Sequence, residues 1–344
     1  MTREVRAWGA ALPPGPVLAV LVAGIGDLVL GRDALRTLRA GFPAREMHVL
    51  VNAQALPLAR AMDLADGLHG FPIRELRGGP GALAWAARAV AGLRRLKPAL
   101  AVNLYPPASR AGALKMGLLL RATGAPARAG VAALGLGPWL TRGVPPAELA
   151  GLHAARAMER VALAAGGADP GPAGPLDLAL PGGCAHDALL AGPGPLVGLN
   201  SGTDQPGKRW APEAFAAVAD ALAASHGARA VILGGPGEES AGRAVAGAMA
   251  AQATVLTGRM TLPELGHVLA RLDLLVTTDS GPMHMAAAAG VPLVAVFHGS
   301  DPARFGPLGA PGRCRVLVSG PGKAVGPQAV IEACHEFLPA GEEK

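Results

Sequence analysis

Four short stretches of this chain combine residue types that can do chemistry, and each joins an apolar run to a helical pattern. Gly24-Ile25-Gly26-Asp27 puts a carboxylate at a helix start. There it either caps the helix or meets a ligand at the mouth of a cleft, the glycines allowing a tight turn or a close approach. Asn200 through Trp210 offers Ser201, Thr203, free backbone N–H groups and the adjacent cations Lys208 and Arg209. That set suits a phosphate, or equally an exposed basic turn. It is not a P-loop, because the Gly-Lys-Ser/Thr spacing is missing. Gly234-Gly235-Pro236-Gly237-Glu238-Glu239 places Glu238 where it can accept hydrogen bonds from a ribose, or simply favour the helix N-terminus. Thr277-Thr278-Asp279-Ser280-Gly281-Pro282-Met283-His284 is the most specific of the four. Its helix start forms an anion site, Asp279 and Ser280 can cap or bind ligand, and His284 lies one turn inside. An ordinary capped helix with a packed histidine is the competing reading.

The elements that position these loops alternate strand with helix. Apolar runs at 17–23, 47–51 and 100–104 read as buried parallel strands, with helical spacing at 28–40, 83–96, 111–123 and 148–165. Residues 166–195 are rich in Gly and Pro and read as a linker. Beyond it, strands at 196–200, 230–233, 254–256, 274–277 and 293–297 alternate with helices at 212–225, 239–251, 262–271 and 282–289. Pro212 and Pro263 stand where helices begin. Two doubly wound α/β domains with a cleft between them follow, and ligands are expected at the carboxyl ends of strands. The domains are expected at 1–165 and 196–325. A last helix within 326–344 is read as packing back on the first domain.

Length and composition agree. The chain has 344 residues, 51% of them hydrophobic and 16% charged, enough for two cores and too apolar for a disordered chain. With one Tyr, four Trp and six Phe, a stacking platform for single-stranded nucleic acid is not expected. No apolar run reaches the roughly 20 residues of a spanning helix. Three scattered cysteines fit a reducing cytoplasm and neither a disulfide framework nor a metal site. The net charge of +6 fits anionic partners or a solvated basic surface. A nicotinamide cofactor is not supported. Val29 stands where the dinucleotide fingerprint needs its third glycine, and Asn52 where an acid would hold the ribose.

Taken together, the loops resemble glycosyltransferase family 9, the bacterial lipopolysaccharide heptosyltransferases. The resemblance rests on Gly24–Asp27, Lys208-Arg209-Trp210, Leu233–Glu238, Thr277–His284, Pro292–Phe297 and Asp301–Pro307, with His153-Ala154-Ala155-Arg156 similar to the family's inter-domain helix. The resemblance implies a GT-B fold: an N-terminal acceptor domain, a C-terminal nucleotide-sugar domain, and inverting sugar transfer in the cleft. It implies that Asp27 is the general base, with Gly24 and Gly26 shaping its loop. Lys208, Thr203 and the N–H groups of Ser280 and Gly281 would meet the diphosphate. Asp279 would hold the donor sugar, Glu238 the ribose, and His284 would line the donor site. No Asp-x-Asp motif is present, in keeping with a metal-independent family and no cofactor beyond the donor. The implied partners are a nucleotide sugar, typically an ADP-heptose, and a glycolipid acceptor, with a peripheral contact at the cytoplasmic face of the inner membrane. A non-catalytic nucleotide-sugar-binding paralogue is the alternative. The sequence departs from the family pattern at Ser201-Gly202, where Pro-Gly is common. It departs again at Phe297-His298-Gly299-Ser300, where Phe-Gly-Pro-Thr is usual, and at Gly31-Arg32-Asp33, which lacks the usual proline.

Overall fold

The computed structural model describes residues 11–72, 80–202, 205–320 and 322–338. The chain divides into two units, Met1–Gly174 and Pro175–Lys344. Each is built on a six-stranded parallel sheet.

In the first unit, β1 (Val17–Leu21), β2 (Met47–Asn52), β3 (Gly67–Phe71), β4 (Leu100–Asn103), β5 (Ala127–Val131) and β6 (Arg142–Val144) lie in the order β3-β2-β1-β4-β5-β6. Helices α1 (Ile25–Leu30) and α2 (Arg32–Gly41) follow β1, and α3 (Leu56–Ala61) follows β2. Helix α4 (Pro80–Arg95) leads into β4, α5 (Arg110–Ala122) into β5, and α6 (Ala154–Ala164) closes the unit. β1 and β4 are buried throughout, as their unbroken apolar runs require. Strands β3, β5 and β6 escape the sequence pattern. Gly67-Leu68-His69-Gly70-Phe71 is nowhere fully buried, β5 contains Arg128 and Gly130, and β6 spans three residues. The helix expected over 28–40 starts earlier and is divided at Gly31, where a Cβ would come within 2.5 Å of Leu21 Cδ2.

Arg32, Arg36 and Arg39 of α2 are fastened to backbone and to a carboxylate. Arg32 donates to the Gly174 carbonyl at 2.7 Å, and Arg36 donates to the carbonyls of Gly171 and Pro172 at 3.2 Å. The Ala168 N–H donates to the Thr37 carbonyl, so residues 166–174 are docked on this unit. Arg39 pairs with Asp66 at 2.7 Å.

In the second unit, β7 (Leu196–Asn200), β8 (Arg229–Leu233), β9 (Ala253–Val255), β10 (Leu274–Thr278), β11 (Leu293–Phe297) and β12 (Cys314–Val318) follow the same winding, in the order β12-β11-β10-β7-β8-β9. The helices are α7 (Asp187–Leu190), α8 (Pro212–His226), α9 (Glu239–Ala248), α10 (Leu262–Ala270), α11 (Gly281–Ala288), α12 (Pro302–Phe305) and α13 (Pro327–His335). Phe215, Val218 and Leu222 of α8 pack with Val197, Ile232, Val276 and Val294 of the sheet. Val330, Ala333 and Cys334 of α13 join that same core. This helix therefore packs against the second unit's own sheet. Residues 175–190 are docked too. The Leu176 N–H donates to the Ala288 carbonyl, and Leu178 lies against the surface at Gly266 and Met285.

Among the described residues, no helix is long and apolar enough to cross a membrane.

Two predictions follow from this packing. Burial pushes the Cys334 thiol up to about 12, while Cys184 and Cys314 are only half-buried. A maleimide at pH 8 should therefore label Cys334 only after denaturation, read by mass spectrometry of the labelled peptides. The Met47 N–H, at 2.7 Å, and Arg39 hold the Asp66 carboxyl below its usual range. Its contribution to stability is present above the ordinary Asp value of about 3.9 and is lost as pH falls through the lowered folded value. Asp66→Asn should flatten that acid limb in a series of urea midpoints against pH.

Candidate functional site

Each sheet has one place where successive crossovers leave in opposite directions. In the second unit that place lies between β7 and β10, which pair with Asn200 opposite Thr277. The loops after these strands diverge and leave a crevice at their carboxyl ends. The chain puts its polar residues there. β7 and β10 are buried throughout, yet both end in polar side chains, Asn200 and Thr277-Thr278.

A small hydrogen-bond network fixes the crevice floor. Asn200 Nδ2 donates to Thr277 Oγ1 at 3.1 Å and to Ser280 Oγ at 3.0 Å. Ser280 Oγ donates in turn to the Thr278 carbonyl at 3.1 Å. Ser280 is the N-cap residue of α11, but its side chain makes no capping bond because it is held in this network. The first-turn N–H groups of α11 thus stay uncapped by that hydroxyl, with the positive end of the helix dipole behind them. Pro282 supplies no N–H, so Ser280, Gly281 and Met283 carry the backbone donors at that end.

Asp279, only 6% exposed, pairs with Lys208 Nζ at 2.5 Å. A carboxylate this buried needs a counter-charge, since removing one partner of such a pair costs about 3–5 kcal/mol. The two residues are 71 positions apart and meet only because β7 and β10 are neighbours. The Lys208 loop is itself anchored. Trp210 Nε1 donates to the Val325 carbonyl at 2.9 Å, and its ring meets Phe215 edge-on at 4.9 Å. The Val325 N–H donates to Ser319 Oγ, which also pairs with His298 Nδ1 at 2.7 Å. Burial lowers the His298 pKa. The departure at residues 297–300 therefore places a histidine in the scaffold behind the Lys208 loop.

Glu238 sits at the end of the β8 loop, at the N-cap position of α9, without a side-chain capping bond to that helix. Its Oε2 accepts from the Gly235 N–H at 2.6 Å. The same carboxylate lies against Gly202, where a Cβ would come within 1.9 Å of Oε2. Glycine at 202 thus leaves room for the Glu238 carboxylate to stay on the Gly235 N–H. Thr203 lies outside the described residues. His284 is buried inside α11. In the second unit the fold thus brings Lys208, Asp279, Ser280 and Gly281 together, with Glu238 on the flanking strand's loop.

In the first unit, Asp27 follows β1, the strand at that sheet's own reversal of winding. It occupies the first turn of α1, with Gly26 beside it, and its Oδ2 accepts from the Gly24 N–H at 3.0 Å. The capping reading is thus realised, and the same bond fixes the orientation of the carboxylate.

Asn200, Thr277 and Trp210 lie in the stretches that sequence reasoning put forward, but it gave them no role of their own. The available signal was a polar residue closing an otherwise apolar strand. A second cluster was missed altogether. Among the described residues, Cys184, Asp187 and His267 form one group whose ligand atoms lie close enough to share a metal ion. Its hydrogen bonds make it a clasp. The Leu180 N–H donates to His267 Nδ1 at 2.9 Å, which assigns the ring proton to Nε2, and Nε2 faces Asp187 Oδ1 at 2.9 Å. Arg271 reaches the same oxygen at 3.0 Å. A cation would have to displace that proton beside a guanidinium.

Comparison with known proteins joins these pieces. The family model of glycosyltransferase family 9 (heptosyltransferase) matches residues 109–326. The chain belongs to this family. Lipopolysaccharide heptosyltransferase 3 of Escherichia coli is 34% identical over 113 residues, 30% of this chain and 33% of that protein. Lipopolysaccharide heptosyltransferase 2 of Salmonella typhimurium is 30% identical over 172 residues, 44% of this chain and 49% of that protein. The matched stretches thus span between a third and a half of these curated relatives. Solved structures extend the likeness in fold to both units. A family 9 glycosyltransferase from Veillonella parvula superposes with a TM-score of 0.79 at 23% identity, covering 94% of this chain and 97% of that one. An E. coli heptosyltransferase solved with ADP gives 0.76 at 20%, covering 94% and 100%. The family 9 chain has the two-Rossmann GT-B architecture.

The site geometry yields a stability prediction. Gly202→Ala should lower unfolding free energy by about 1–3 kcal/mol, because the new methyl meets the Glu238 carboxylate and forces it off the Gly235 N–H. Gly207→Ala, with nothing within 4 Å of its Cβ position, should be nearly neutral in the same urea titration.

Proposed function

We propose that the protein is an inverting, metal-independent glycosyltransferase. It moves a sugar, a heptose carried on ADP, to a cell-envelope glycolipid such as the lipopolysaccharide core. The observation that carries the reading is the Lys208–Asp279 pair beside the uncapped start of α11. That arrangement offers a cation and backbone N–H groups to a diphosphate and a fixed carboxylate to sugar hydroxyls. Family membership and the names of the relatives support the donor and acceptor classes.

In this reading the adenosine ribose is held by Glu238, and the diphosphate by Lys208, Thr203 and the Ser280 and Gly281 N–H groups. Asp279 orients the sugar, and His284 lines the donor site. Asp27 accepts the proton of the acceptor hydroxyl as that oxygen attacks the anomeric carbon from the side opposite the diphosphate. The bond from the anomeric carbon to the phosphate oxygen breaks, and its electron pair leaves with ADP. Inversion follows from the single displacement. Lys208 and the α11 N–H groups stabilise the charge that develops on the leaving oxygen. No metal ion is invoked, because protein cations and dipoles supply that role. The acceptor lipid places the reaction at the cytoplasmic face of the inner membrane, with the protein bound peripherally.

The bond from Gly24 N–H to Asp27 favours a second reading. A carboxylate that serves as a cap does not need a catalytic role, and a donor-binding protein without turnover would keep it. Kinetics separate the two. A panel of ADP-, GDP- and UDP-sugars, screened by thermal shift and then by nucleotide release, should single out the ADP-sugar. Asp27→Asn should lower kcat about 10²–10⁴-fold with donor affinity unchanged. Lys208→Ala should weaken ADP binding about 10–100-fold by calorimetry. Binding without turnover across donors and acceptors would leave the binding protein as the better account.

A further inference from the structure

The chain's charge is unevenly distributed. No Asp or Glu occurs between Glu75 and Glu148, a stretch that holds ten of the 31 lysines and arginines. The rest of the chain carries more acidic than basic side chains.

The fold gathers much of this excess on one face. Leu93 of α4 and Leu120 of α5 share a core with Leu18, Val20, Leu50 and Ala101, so both helices cover the same side of the first sheet. Their outer sides carry exposed Arg88, Arg94 and Arg95 on α4, and exposed Arg110, Lys115 and Arg121 on α5. Neither helix has a carboxylate to balance them.

Among these cations lie apolar side chains that the core does not use. Leu114 and Leu118 are each 52% exposed, and Trp85 is 38% exposed. The two leucines are one turn apart, with Arg110 a turn before them and Arg121 a turn after on the same stripe. Apolar side chains framed by long cationic ones are the composition of a surface that lies on a charged lipid boundary. The leucines and indole enter the headgroup region, and the guanidinium and ammonium groups reach lipid phosphates. A nucleic acid would use the cations but leave the leucines in water. A protein partner would have to be uniformly acidic across two helices.

We infer that the outer face of α4 and α5 is the surface on which this protein docks to an anionic phospholipid bilayer. The inference deepens the proposed function, resting on its reading that the acceptor is carried by a membrane lipid, and assigns that contact to named side chains. Each cation close to an anionic surface contributes roughly five-fold in binding constant.

The test is vesicle sedimentation of the full chain without donor or acceptor. It compares phosphatidylcholine vesicles containing phosphatidylglycerol with phosphatidylcholine alone. The wild type should sediment with the anionic vesicles only, and less as salt rises. Arg95→Glu/Lys115→Glu/Arg121→Glu should lower binding by on the order of 100-fold or more. Leu114→Ser/Leu118→Ser should lower it roughly ten-fold. Arg60→Glu/Arg243→Glu, exposed on other helices, should have a much smaller effect. Thermal melts establish that each variant is folded. As a second readout, Trp emission should shift to the blue on adding anionic vesicles, and the shift should be lost in Trp85→Phe.

Equal binding to neutral vesicles, no binding by the wild type, or an equal loss in the Arg60/Arg243 control would each overturn the inference. So would a dimer that dissolves in the leucine variant while vesicles are ignored, because the face would then bind a second copy. Since no sugar is present, failure here leaves the glycosyl-transfer reading standing. Vesicle binding without turnover overturns only the latter.

Discussion

The site depends on one topological constraint. β7 and β10 are hydrogen-bonded neighbours, yet the chain leaves them toward opposite edges of the sheet. Parallel strands need long right-handed crossovers. Two crossovers that diverge from adjacent strands must leave the strand ends uncovered. Everything polar in the second unit's crevice follows from that gap. Asn200 and Thr277 are opposite each other because the register puts them there. Lys208 reaches Asp279 because the loops carrying them start from adjacent strands. The same winding in the first unit puts Asp27 at the corresponding reversal. One folding rule, used twice, places both the Asp27 loop and the Lys208 loop at the ends of buried strands.

The sequence showed the strands that are buried on both faces, because only these read as unbroken apolar runs. Val17–Leu21, Leu196–Asn200 and Leu293–Phe297 are found by pattern and are buried throughout. The strands nearer the edges were hidden for the opposite reason. Gly67–Phe71 and Cys314–Val318 are partly solvated, so Gly, His and Arg are tolerated there and the pattern dissolves. The loops were legible as loops, since Gly and Pro punctuate them. Their pairings were not. Nothing local to Lys208 announces Asp279, and nothing local to Gly202 announces Glu238, because both contacts are made through the sheet. Resemblance to the family supplied roles for these residues that no spacing rule could have given.

Residues 166–195 illustrate the limit of composition. Their glycines and prolines suggest a loose tether, yet Arg32 and Arg36 hold the carbonyls of its first part, and His267 and Asp187 clasp its second. Poor intrinsic structure is offset by side chains that take up backbone polar groups. Arg32 and Arg36 thus anchor chain that lacks a ladder of its own. The clasp also gives a structural reason for a cysteine, an aspartate and a histidine to converge.

The Lys208–Asp279 pair has a further consequence for discrimination. As folded, Lys208 is already neutralised by a carboxylate 2.5 Å away. A bare cation at a helix start would concentrate any small oxyanion from solution. A neutralised one gives inorganic phosphate little reason to stay, because that ion must compete with Asp279 and offers it nothing in return. A diphosphate bearing a polyol can compensate both groups at once, accepting from the lysine while its hydroxyls donate to the aspartate. Under the proposed function, selectivity for a conjugate over its fragments rests on this single ion pair.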